Sequence, residues 1–143
     1  MLDSYIKVID RRHIEGYRRS EGWAENQVVY FYAEFSKQME SCSLINGAFT
    51  ASPSDTNHAA HGTEVKACFQ FHTSKNESIY VKVAISQTSM EGAKINRREI
   101  MTWDFEATKR NAEATWNYEL NKINVSTNNE EQKKFSSPHF IIA

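Results

Sequence analysis

A chain of 143 residues holds one domain comfortably and two only with difficulty. Its formal net charge of -1 gives no bulk attraction for nucleic acid or an anionic membrane, so neither is expected as a partner. Hydrophobic residues at 40% and aromatics at 12% suffice for a modest core, and no apolar run reaches the roughly 18–20 residues of a membrane-spanning helix.

The first ten residues, MLDSYIKVID, lack the apolar stretch of a signal peptide, so the chain is read as starting after any such signal. Within them YIKVI, residues 5–9, alternates as a short strand. A charged turn at 10–13 leads to a second strand over 14–20, which Gly22 interrupts. Residues 27–36 alternate clearly. Val29, Phe31, Ala33 and Phe35 face one way; Val28, Tyr30, Tyr32 and Glu34 face the other. Both sets are largely apolar or aromatic, which predicts a central strand covered on each side. Residues 46–62, NGAFTASPSDTNHAAHG, read as a loop. Strands over 65–72 and 79–86, joined by the polar turn TSKNES, read as a hairpin. The central strands expected are thus 28–35, 65–71 and 79–85.

After Ser86 the period changes. Ser89 caps a short helix through about Arg97. Asp104 caps a longer one to Leu120, with an apolar face of Phe105, Thr108, Ala112, Trp116 and Leu120, of which Phe105, Ala112 and Trp116 are expected to be buried. A short extended piece at 122–125 and the start of a helix at 130–134, stopped by Pro138, complete the chain. Strands first and helices after predict an antiparallel sheet assembly followed by a helical linker.

Residue chemistry alone gives no reaction. His58 and His61 form an H-x-x-H pair near Asp55 without a cysteine partner, and a solvated polar loop explains them better than a metal site. Cys42 and Cys68 lack metal-ligand spacing and fit buried thiols or one disulfide. No nucleophile elbow, phosphate loop or dinucleotide fingerprint occurs. Glu34 stands out as a carboxylate among aromatics in a central strand; a polar seam or an arginine partner is the competing account. Trp23 is ringed by Arg18, Arg19, Glu21 and Glu25 in front of that strand. Indole faces stack on sugar rings while Arg and Glu bond sugar hydroxyls, so this turn is either a carbohydrate or interdomain surface or an aromatic plug with solvated charges around it.

Four segments then carry a family resemblance. IEGYRRSEGWAENQVVYFYAEFSK resembles a segment of glycoside hydrolase family 92, the calcium-dependent α-mannosidases, most often α-1,2. VKVAISQTSMEGAKIN at 81–96 is similar to that family's V-x-V-x-I-S-x-x-S-x-E-x-A-x-x-N run. TWDFEATKRNAEATWNYELNKINV at 102–125 resembles its W-D-F…W-N-x-x-L-x-x-I-x-V helix and strand. NNEEQKKF at 128–135 is similar to the approach to the catalytic domain. The tail FSSPHFIIA departs from the family's F-Y-x-x-L-Y-H pattern, and Pro138 shifts the register in which His139 would match.

The resemblance implies a parent with an N-terminal β-sandwich of galactose mutarotase type and an (α/α)6 catalytic barrel. It implies inverting hydrolysis of α-mannoside glycans, with the acid, the base and the calcium ligands mainly in the barrel, and a secreted, periplasmic or cell-surface setting. The expected fold is therefore mainly β with C-terminal helices: a partial antiparallel sandwich over 1–100, a linker helix and short strand over 101–127, and a truncated start of the catalytic segment over 128–143. No catalytic or metal residue is carried over. Arg18, Arg19, Trp23 and Glu25 are the expected substrate-binding or interdomain residues. The main reading is a non-catalytic piece of an α-mannosidase, inactive alone and without bound calcium. The alternatives are a stand-alone carbohydrate-binding module built on Trp23, and a mutarotase-like enzyme with His72 and Glu34 converging on one sheet face. A fragment should leave an apolar sheet face uncovered; a complete module should not.

Overall fold

The computed structural model of the chain describes residues 2–22, 24–46, 58–122 and 128–129, with the backbone alone at 49–50. The chain divides into two units, Met1–Trp103 and Asp104–Ala143. The first contains strands β1 (Asp3–Val8), β2 (His13–Ser20), β3 (Gln27–Phe35), β4 (Ser41–Asn46), β5 (Phe49–Thr50), β6 (Ala59–Gly62), β7 (Val65–Gln70) and β8 (Val81–Ser86), then helix α1 (Met90–Asn96) and a 3-10 turn, Arg97–Glu99. The second contains helix α2 (Phe105–Leu120).

The strands form two antiparallel sheets, one of five in the order β6-β1-β2-β3-β8 and one of three in the order β5-β4-β7. The β1–β2 hairpin is closed by Asp10, whose Oδ1 accepts the amides of Arg12 (2.7 Å) and His13 (2.9 Å), the local bond that makes Asp a turn former. Strand β3 is central, as its two apolar faces predicted. One face gives Ala33 and Phe35 to the core with Val8, Ile14, Met39, Cys42 and Leu44. Phe69 and Phe71 flank the Phe35 ring, each with centroids 5.3 Å away. The other face buries Tyr32 and Glu34, and the fully buried Ala93 lies in α1, the helix that packs on β3 and β8. Gly16 is required by close approach: a Cβ there would meet the Tyr5 carbonyl at 2.0 Å and the Phe31 ring at 2.8 Å.

The expected hairpin of 65–72 with 79–86 does not form. Strand β7 pairs with β4 and β8 with β3, in different sheets. Alternation identifies a strand and its faces but not its partner, and residues 71–80 are long enough to cross between sheets. The polar turn itself is present, closed by Glu77 N–H to Ser74 O (3.2 Å) and held by Lys37 on Glu77 (2.6 Å). In consequence β7 and β8 are edge strands, not central ones. The expected loop at 46–62 also contains structure: β6 pairs with β1, and Ser4 Oγ and Asn46 Nδ2 donate to the carbonyls of Gly62 and His61, each at 2.6 Å. Its strand is set by these tertiary bonds rather than by an apolar pattern. Cys42 and Cys68 are both free thiols, the first buried and the second exposed.

Val81, Val83 and Ile85 share a sheet face with Phe35, Ala33 and Phe31 by register, yet they are 47%, 56% and 62% exposed. The apolar face of the larger sheet therefore continues at its edge beyond what is covered.

Ser89 and Asp104 cap the helices as expected, accepting the Gly92 and Ala107 amides at 2.9 Å. The expected burial of α2 is not found. None of its residues is buried, and Phe105 and Trp116 stand 58% and 61% exposed. Periodicity gives a helix its apolar stripe; burial needs a second surface, which sequence does not supply. The extended piece to 125, the helix expected at 130–134, and Pro138 and His139 lie outside the described residues.

Candidate functional site

The face of the five-stranded sheet turned away from the core carries the polar chemistry. Cross-strand register sets it out in rows. His61, Tyr5, Tyr17, Tyr30 and Ser86 form one; Lys7, Glu15, Tyr32 and Ala84 the next; His13, Glu34 and Lys82 the third. Tyr5 and Tyr17 stack with centroids 5.7 Å apart, and Tyr30 meets Tyr17 edge-on at 6.0 Å. Their ring faces are thus turned on one another, which leaves hydroxyls and edges rather than a flat stacking platform for a ligand. At the end of the row Asp3 accepts a hydrogen bond from Tyr17 Oη (2.9 Å) and faces His61 Nε2 (3.0 Å). Partial burial opposes its ionisation, but these partners prevail and hold the carboxyl below its usual pKa. The bond to Asp3, helped by partial burial, pushes the Tyr17 hydroxyl up.

The third row is the most enclosed polar group. Glu34 and Lys82 are directly paired across β3 and β8 and are 9% and 6% exposed. Arg97 forms an ion pair with Glu34. His13 Nε2 lies 3.6 Å from Glu34, too long for a hydrogen bond, while its Nδ1 is 2.7 Å from Asp10. Partial burial raises the Asp10 pKa, but the Arg12 and His13 amides and the imidazole outweigh it, so the net shift is downward. Lys82 Nζ turns to the Met101 carbonyl (3.3 Å) and sits 4.1 Å from the centre of the Trp103 ring. A groove of about 230 Å³ beside this row is lined by Lys82, Val83, Ile85, Asn96, Arg97 and Ile100, among others.

Of the two accounts of Glu34, the arginine partner holds. The guanidinium gives the buried carboxylate a charged partner, as a structural ion pair requires. The His72–Glu34 pairing does not form: His72 follows β7 of the smaller sheet, which packs on the Phe35 face, and Glu34 points to the opposite face. Arg18 and Arg19 are consecutive on β2 and so project to opposite faces of the sheet. Arg19 bonds Asn26 in the β2–β3 turn, and Glu25 is exposed there. Trp23 lies outside the described residues. The two arginines therefore do not form one surface with Glu25. Sequence reading missed Asp3, His13, Lys82, Arg97 and Trp103; their grouping depends on strand pairing, and only the D-x-x-H spacing of Asp10 and His13 had a local signal. His61 sits on β6 and pairs with Asp3, and among the described residues no three or more His, Cys, Asp or Glu gather as a metal site.

Residues 1–86 match the model of the glycosyl hydrolase family 92 N-terminal domain, and residues 92–140 match that of the family's catalytic domain. Among solved structures, the family GH92 α-mannosidase BT3965 from Bacteroides thetaiotaomicron superimposes with a TM-score of 0.79 at 30% identity, covering 89% of this chain and 18% of that one. The same enzyme in complex with mannoimidazole gives 0.79 and 30%, covering 89% and 17%. The family GH92 inverting mannosidase BT2199 from the same organism gives 0.72 at 25% identity, covering 87% and 17%. The chain thus spans under a fifth of the length of these enzymes. No curated protein matches.

Proposed function

The chain belongs to glycosyl hydrolase family 92, and from that premise we propose that it is the sandwich portion and catalytic-domain approach of an exo-acting α-mannosidase cleaving α-1,2-linked mannose. The observation that carries this reading is the open apolar edge at Val81, Val83 and Ile85. A complete carbohydrate-binding module would cover such a face, whereas part of a larger assembly leaves it for its neighbour. The mutual stacking of Tyr5 and Tyr17 also removes the flat aromatic platform that a stand-alone sugar module would present.

Inverting hydrolysis requires an acid that protonates the leaving oxygen and a base that activates water on the opposite side of the sugar, roughly 6.5–9.5 Å apart. Four of the described carboxylates are committed elsewhere: Asp3 to Tyr17 and His61, Asp10 to His13, Glu34 to Arg97, Glu77 to Lys37. In this reading the acid, the base and the ligands of a calcium ion come from other parts of the enzyme. In this reading the sandwich supports the (α/α)6 domain, and the β2–β3 turn with Arg19, Trp23 and Glu25 is its contact with that domain or with the glycan.

The test is direct. Purified chain with α-1,2-mannobiose, with and without calcium, is expected to release no mannose. Calcium-dependent release would overturn the proposal.

A further inference from the structure

Residues 97–103 carry a contradiction. They run from the 3-10 turn to the end of the first unit and are mostly exposed, with Ile100 and Met101 showing apolar side chains to solvent. Burial of apolar surface holds them only in part, since Ile100 is 37% and Met101 87% exposed. Yet they end at Trp103, the last residue of the first unit.

Their fastenings are polar and converge on one cross-strand pair. Arg97 enters from the 3-10 turn and pairs with Glu34. Lys82, directly opposite Glu34, donates to the Met101 carbonyl at 3.3 Å and lies under the Trp103 ring at 4.1 Å. Just upstream, Asn96 Nδ2 donates to the Ile85 carbonyl on the outer edge of β8 at 2.9 Å. Only Arg97 and Trp103 of this segment sink below the exposed level, one over each member of the buried pair.

We propose that the Glu34–Lys82 pair is a two-point anchor that straps residues 96–103 across β3 and β8 and so fixes where the chain leaves the sheet unit. The inference is independent of the family assignment. The choice of charges fits the task. The Glu34–Arg97 ion pair gains little net stability over apolar side chains of similar volume, but leaving Glu34 or Lys82 buried without its partner on the segment is costly, so the segment is held to one register. Guanidinium geometry adds direction to that choice. An apolar strap would slide.

Hydrogen exchange followed by peptide mass analysis on the full chain tests this. Arg97→Met keeps a long stem but removes the charge, and Lys82→Met does the same at the second point. Each is expected to raise exchange in residues 96–103 roughly tenfold while β1, β2 and β3 keep their protection. Trypsin cleavage after Arg98 should accelerate in parallel. Arg97→Lys should restore most of the protection. Unchanged exchange at 96–103, or an equal loss of protection throughout the first unit, would overturn the anchor, the second outcome because it reports general stability rather than a local strap. Unfolding of both methionine variants counts with that second outcome.

Discussion

Leu44→Ala set against Ile85→Ala measures how far the sandwich core extends. Leu44 in β4 is 1% exposed and packs from the smaller sheet against Val8, Ile14, Ala33 and Phe35 of the larger. Removing it deletes buried methyl groups and leaves a cavity that two hydrogen-bonded sheets can only partly close, a loss of about 3–5 kcal/mol. Ile85 has the same alternation and lies opposite Phe31, but it is 62% exposed. Somewhat over a third of its surface is withdrawn from water and no cavity is made, so Ile85→Ala should cost about 1 kcal/mol or less. Urea unfolding followed by far-ultraviolet circular dichroism reads both. With a slope of about 1–3 kcal/mol/M, Leu44→Ala should lower the midpoint by more than about 1 M, and Ile85→Ala by only a fraction of that. Equal losses would refute the reasoning, since they would mean that the β8 face is covered in solution.

Burial, with a smaller contribution from the Cys68 charge, pushes the Cys42 thiol from its usual 9.0 to about 11, so in native protein at pH 8 a disulfide reagent should titrate Cys68 rapidly and Cys42 at least about a hundredfold more slowly, with both reacting in denaturant. Trp116→Ala should cost under about 1 kcal/mol in thermal unfolding, because the indole is 61% exposed; a loss of about 3–5 kcal/mol would show that the α2 face is covered after all. Asp10 has a folded pKa below its ordinary 3.8, so its contribution is present above that value and lost as the pH falls through the lower folded one. Asp10→Asn should therefore flatten the acid limb of a stability-against-pH profile, and an unchanged limb would remove Asp10 from the account.

How much was legible in the sequence depended on how local each determinant was. Strand β3 and its two faces, the caps Ser89 and Asp104, and the Asp10 turn were all readable, because each is set by residues within a few positions of one another. The family was readable too, from ordered motifs along most of the chain. Partners were not. The pairing of β8 with β3 rather than β7, the strand at Ala59–Gly62, and the exposure of Trp116 all turn on which surfaces meet across long separations. The same holds for the site. Arg18 and Arg19 look like one basic patch when read along the chain, and the pleat sends them to opposite faces. Glu34, Lys82 and Arg97 look unrelated in sequence; sheet register sets Glu34 beside Lys82, and Arg97 reaches Glu34 from the segment that crosses them. Side-chain period is a property of one strand; register is a property of two, and the chemistry of this protein's outer face is written in register.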